Sequence, residues 1–142
     1  MANWQTRNVL TSAVEGPKYN QIGLVTEIWS VALTTALANG DTILGPTIPA
    51  NTYLFDVAVD VGQLDSNGSP TIAFEAGYVG ALGAFIVGST TARAGGIQTA
   101  NVAGTVGYTA TTNTQVVGTI TTGAATAKAG TWVFRVTYTA NP

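Results

Sequence analysis

Between Thr131 and Thr139 the chain sets Trp132, Phe134, Val136 and Tyr138 at every second position, with Val133, Arg135, Thr137 and Thr139 between them. A period of two predicts a strand with one buried side, because successive side chains on a strand point to opposite faces. The alternation recurs upstream. From Leu24 to Leu37, Val25, Trp29, Val31, Leu33 and Leu37 share one face, while Thr26, Ser30, Ala32 and Thr34 share the other. Tyr53, Phe55, Val57, Val59 and Val61 form a second inward row with Asp56 and Asp60 opposite, and Ile72, Phe74, Ala76 and Tyr78 form a third. Val106 and Tyr108, then Val116, Gly118 and Ile120, continue the short-strand pattern.

Turn chemistry separates these rows. Asn39-Gly40-Asp41 and Asp65-Ser66-Asn67-Gly68-Ser69-Pro70 are strong turn clusters. Pro46 and Pro49 keep the stretch around them out of any central strand. Ala84 to Ala94 loses the period of two and runs into Gly95-Gly96, which suits a short helix with a glycine cap. The predicted fold is all-β, an antiparallel β-sandwich or jelly-roll-like arrangement with at most one short helix. Residues 1–21 have no strand period and read as an N-terminal arm ahead of a sandwich domain at 22–142. Trp4, Leu10 and Tyr19 in that arm have no evident place in the sheets, which makes them candidate interface residues.

Composition points to a surface meant to be covered. Only 8% of residues are charged, against ~25% in an ordinary soluble domain. Hydrophobic content is an ordinary 46%, so Thr, Ala, Gly, Ser and Asn stand where charges would be. Such a chain reads as a subunit of an assembly, because surface charge is what keeps isolated domains dispersed. The cations Arg7, Lys18, Arg93, Lys128 and Arg135 are scattered and leave no stripe for a phosphate backbone, so no nucleic acid is expected as partner. The N-terminal segment lacks the basic and apolar regions of a secretory signal, and no apolar run is long enough to span a membrane.

Reactive chemistry has little to draw on. There is no Cys and no His, which removes thiolate catalysis, the commonest general base and the commonest metal ligand. Asp56 and Asp60, four residues apart on a strand, stand roughly 13 Å from each other, too far to share a proton or a metal. Asp65-Ser66-Asn67-Gly68 falls short of a calcium loop, since glycine occupies the fourth position and Ala76 stands where the closing Glu belongs. A sugar site would want two or three aromatics on one exposed face with carboxylates and amides beside them. Trp29 and Trp132 instead fall in apolar rows, leaving Trp4 alone. No catalytic residue, cofactor-binding residue or metal ligand is assigned, no small-molecule substrate is expected, and the chain does not read as an enzyme.

The segments Ala38-Asn39-Gly40-Asp41-Thr42-Ile43-Leu44-Gly45-Pro46-Thr47-Ile48-Pro49 and Leu54-Phe55-Asp56-Val57-Ala58-Val59-Asp60 resemble small structural proteins of tailed bacteriophages. Ala92-Arg93-Ala94-Gly95-Gly96, Val102-Ala103-Gly104-Thr105-Val106-Gly107-Tyr108 and the strand from Thr131 to Ala140 extend the likeness, which covers about residues 24 to 140. The resemblance implies a capsid decoration, or cement, protein of the virion. Such a β-rich subunit, often a homo-oligomeric trimer, is assembled in the host cytoplasm, binds the major capsid protein on the outer capsid surface and stabilises capsomer junctions. A tail or fibre component, or a glycan- or receptor-binding sandwich, is the alternative.

Overall fold

A computed structural model describes residues 23–34 and 36–139 of the chain. Among them the alternating segments form nine strands: β1 (Leu24–Leu33), β2 (Thr42–Ile48), β3 (Thr52–Val61), β4 (Ala73–Tyr78), β5 (Ala81–Ser89), β6 (Gly96–Thr99), β7 (Thr109–Ala110), β8 (Thr114–Thr122) and β9 (Gly130–Thr139). They assemble into two antiparallel sheets. One runs β1-β9-β3-β6 with β7 beside the start of β3, and the other runs β2-β8-β4-β5. The chain thus passes repeatedly between the two sheets of an antiparallel sandwich, the all-β class that the sequence predicts, with β1 near β2 at one side and β6 near β5 at the other.

The inward row of β9 is the centre of the core. Trp132, Phe134, Val136 and Tyr138 are all buried. The Trp132 ring meets Phe74 of β4 edge-on, with centroids 4.7 Å apart, and Phe134 at 5.7 Å. Room for these rings comes from glycines on the facing sheet. A Cβ on Gly118 of β8 would lie 2.5 Å from Cζ2 of Trp132, and one on Gly45 of β2 would lie 2.9 Å from Cδ2 of Phe134. The indole Nε1 has no hydrogen-bond partner among the described residues, so packing alone holds the ring.

Several expected inward residues face outward instead. On β3, Leu54 pairs with Tyr138 but Asp56 pairs with Thr137, so Phe55 is an extra residue in a β-bulge. The bulge reverses parity. Val57, Val59 and Val61 point inward as predicted, but before the bulge the inward residues are Thr52 and Leu54, leaving Tyr53 and Phe55 each 47% exposed. Trp29 does share the inward parity of Val25, yet it is 37% exposed, on a strand that is the edge of its sheet among the described residues. β1 ends at Leu33, so Leu37 packs on the core from the following connection. Val106 is in no strand; it lies exposed between Gly104 and Gly107, whose positive φ values bend the chain away from extended geometry.

The helix predicted over residues 84–94 is replaced by a strand. β5 runs to Ser89, and a single 3-10 turn at Thr91–Arg93 follows before Gly95 takes φ +87°. The period of two fails there because Tyr78 pairs with Ala81 while Ala76 pairs with Ile86. Residues 82–85 therefore arch opposite Gly77 alone. A Cβ on Gly77 would run into the backbone of Ala81, Leu82 and Ala84, which makes glycine the residue that permits the arch.

A buried carboxylate braces one end of the sandwich. Asp65 Oδ1 accepts the amides of Asn67 (3.1 Å) and Thr126 (3.0 Å), and Oδ2 those of Thr71 (2.8 Å), Ile72 (3.3 Å) and Ala125 (2.8 Å). Arg93 binds the same region from its other polar side, donating Nε to the carbonyl of Ile72 at 3.0 Å and a terminal nitrogen to that of Thr71 at 3.2 Å. Burial alone would raise the Asp65 pKa, but the amides of Thr126, Ala125, Thr71 and Asn67 outweigh it and hold the carboxyl far below the usual range.

Two outcomes test this account. Trp132→Ala should cost about 3–5 kcal/mol and Gly118→Ala about 1–3 kcal/mol through overpacking, whereas Trp29→Ala should cost only about 1 kcal/mol, as an average partly exposed substitution does; denaturant titration measures all three. The Asp65 contribution, with its pKa lowered on folding, is complete above the unfolded value of about 3.9 and fades as the pH falls below it. Asp65→Asn should therefore melt well below the parent at neutral pH, and the gap should narrow as melting is followed into acid.

Candidate interface

The register lays out the outer face of the β1-β9-β3-β6 sheet row by row. Ser30, Val133, Asp60 and Ile97 lie side by side, then Ile28, Arg135, Ala58 and Thr99, then Thr26, Thr137 and Asp56. Hydroxyls and small groups alternate on it with the charges of Asp56, Asp60 and Arg135 and the apolar Ile28, Val133 and Ile97. Thr26 Oγ1 and Thr137 Oγ1 are 3.0 Å apart, and Arg135 reaches diagonally to Asp60 at 3.3 Å. That ion pair is largely solvent-exposed and worth little to stability. Asp60 therefore has a surface cation for a neighbour, Asp56 lies exposed further along the sheet, and the two do not form a carboxylate pair.

The outer face of the other sheet carries an apolar cluster. Leu44 of β2, Val117 of β8, Leu82 of β5 and Val79 in the β4–β5 turn surround a shallow cavity of about 440 Å³, with Thr42 and Gly80 completing its wall. Leu44 and Val79 are well exposed. Thr119, opposite Thr42 in the ladder, is buried, and its hydroxyl has no hydrogen-bond partner among the described residues. A smaller polar cavity of about 280 Å³ lies among Tyr78, Tyr108 and residues 111–115. There the hydrogen bond to Tyr108, helped by burial, raises the Tyr78 pKa, so that phenol stays protonated at neutral pH.

The sheet edges differ in how they are protected. β2 is blunted by Pro46 and by a register shift between Leu44 and Thr47, β5 by the arch at residues 82–85, and β6 by its length of four residues. These are the devices that stop one sheet from adding to another. Among the described residues β1 is an edge strand without a proline, a register shift or a short length: it is ten residues long and pairs evenly with β9. Ile28 and Trp29 are exposed on it. Its one charged residue, Glu27, is buried and accepts the Tyr138 hydroxyl at 3.1 Å.

The predicted interface residues Trp4, Leu10 and Tyr19 lie outside the described residues. Ile28, Leu44 and Ile97 are among the exposed apolar residues that pattern reading passed over, as are Val79, Leu82 and Val87; the first three carry a readable signal. Each is an apolar side chain on the polar parity of its strand, and that parity was the available signal. Among the described residues no group of three His, Cys, Asp or Glu could hold a metal ion, and no helix is long and apolar enough to cross a membrane.

If these faces are interaction surfaces and not misplaced core, Leu44→Ser and Val79→Ser should leave stability within about 0.5 kcal/mol of the parent. The same variants should reduce binding of an apolar fluorescent dye, measured beside the parent at equal protein concentration.

No protein-family profile and no curated protein matches the chain. Solved structures do. A chain of the cyanophage Pam1 capsid asymmetric unit superposes with a TM-score of 0.79 at 27% identity, covering 88% of this chain and 91% of its own. A chain of the capsid of Ralstonia phage GP4 gives 0.76 at 25% identity, covering 89% and 90%. A chain of the acid-stable capsid of Helicobacter pylori bacteriophage KHP30 gives 0.60 at 18% identity over 81% and 87%, a likeness of fold alone. The described sandwich is thus similar, over nearly its whole length, to chains found in the capsids of bacteriophages.

Proposed function

We propose that this chain is a virion structural protein, a capsid decoration or cement protein. In this reading it binds the outer surface of the head as a homo-oligomer, a trimer in the simplest case, and clamps neighbouring capsomers through contacts with the major capsid protein. The observation that carries the reading is the near-complete mutual coverage with a chain of the Pam1 capsid at a TM-score of 0.79. A protein of this size and fold is, in that phage, part of the shell. The sparse charge, the apolar cluster around Leu44 and the long, regular β1 edge with Ile28 exposed on it support it.

The physics of a clamp fits these features. Burying threonine and alanine faces costs little desolvation compared with burying ion pairs. A symmetric oligomer engaging several junctions gains by effective concentration what each contact lacks. The arm at residues 1–21, with Trp4, Leu10 and Tyr19, would add apolar anchors on a neighbour. A second reading, a glycan- or receptor-binding module, draws on Tyr53 and Phe55, which stand exposed beside Asp56. It requires that Phe55→Ala abolish binding to a carbohydrate array while the fold persists.

Copy number decides between shell and tail. Mass spectrometry of purified particles should find the chain in hundreds of copies, on the scale of the major capsid protein; a handful would place it in the tail or neck and overturn the proposal. Removing residues 1–21 should leave the melting temperature near that of the parent and weaken co-sedimentation with undecorated heads. Ile28→Lys at the β1 edge should keep the monomer folded and lower the oligomer fraction in light scattering.

A further inference from the structure

The chain holds two Asn-Gly pairs in exposed turns, Asn39-Gly40 and Asn67-Gly68. Such a pair modifies itself without an enzyme. The glycine amide nitrogen loses its proton to solvent and attacks the Asn Cγ, and ammonia departs to leave a succinimide. Water then opens the ring to aspartate or isoaspartate. Glycine makes the attack easy because no side chain restricts its backbone. In sequence terms the two sites are equivalent, but the fold treats them differently.

At Asn39 the nucleophile is occupied. The Gly40 amide donates to the carbonyl of Ile120 at 2.8 Å, and Ile120 returns a bond to the carbonyl of Asp41 at 2.9 Å. Asp41 closes the turn again, its Oδ2 accepting the Ala38 amide at 2.8 Å. At Asn67 the Gly68 amide has no acceptor among the described residues, and the restraint falls on the electrophile. Asn67 Nδ2 donates to Thr126 Oγ1 at 2.9 Å, and its Oδ1 accepts the Ser69 amide at 2.9 Å.

We propose that Asn67 is the deamidation site of this fold, that the Thr126 hydroxyl gates it by holding the side-chain amide away from the Gly68 nitrogen, and that Asn39 is silent. The product matters to the structure. Aspartate at position 67 loses the donor to Thr126 and sets a second negative charge beside buried Asp65, whose Oδ1 accepts the residue-67 amide at 3.1 Å. Modification therefore strikes the node that ties residues 65–72 to residues 125–126.

The full chain, aged at mildly alkaline pH below its melting transition and then peptide-mapped, reads both sites at once. Conversion at Asn67 should outpace conversion at Asn39. Thr126→Val should speed Asn67 by about two- to tenfold, the weight of one neutral hydrogen bond, while Asn39 stays at the parental rate and Thr126→Ser restores the parental rate at Asn67. Equal or faster conversion at Asn39 would overturn the proposal. So would a Thr126→Val variant that leaves Asn67 unchanged or accelerates both sites alike.

Discussion

One carboxylate with five amide donors is the constraint on which much of this sandwich rests. Asp65 draws together its own turn, the entry to β4 and the β8–β9 connection. Those segments position Phe74 and Trp132, whose edge-on contact fills the middle of the core. Arg93 completes the arrangement by taking the carbonyls of two of the five residues whose amides Asp65 binds, Thr71 and Ile72. A buried charge is expensive unless its hydrogen-bonding capacity is met. Here it is met by backbone groups that would otherwise be left without partners where the strands end.

Much of the fold is legible in the sequence wherever the alternation is unbroken. β9, the second half of β3 and β4 as far as Ala76 bury the residues that their period of two selects, and Tyr78 is half-buried against the core. The misses cluster where strand pairing slips. Phe55 is one residue too many opposite β9, and that single insertion sends Tyr53 outward and Leu54 inward. The arch of residues 82–85 over Gly77 destroys the alternation of β5 and imitates a helix in the bare sequence. Both are properties of a pair of strands, and neither can be read from one strand alone. Trp29 fails for another reason: its parity is correct, but parity cannot say that β1 is an edge.

The candidate interface was less legible than the core, because it consists of residues on the wrong side of an otherwise regular pattern. Ile28 and Leu44 are apolar side chains at positions that a solvent-facing strand would give to polar ones. The likeness to phage capsid chains gives those departures a physical context. A surface that is to be covered keeps apolar groups on its polar parity, and it has little use for charges that would need to be stripped of water.

The Arg135–Asp60 contact is the ion pair found among the described residues, and both side chains face solvent. Dissolved ions act on proteins chiefly by screening charges, over a distance of about 8–10 Å at ordinary ionic strength. A surface so poor in charge gives them little to screen. Contacts made through its threonines and aliphatic groups would lose nothing to screening as salt rises, and the hydrophobic part of them would weaken on cooling. Such a surface is indifferent to the medium around it, an advantage for anything that is built in one solution and has to stay together in another.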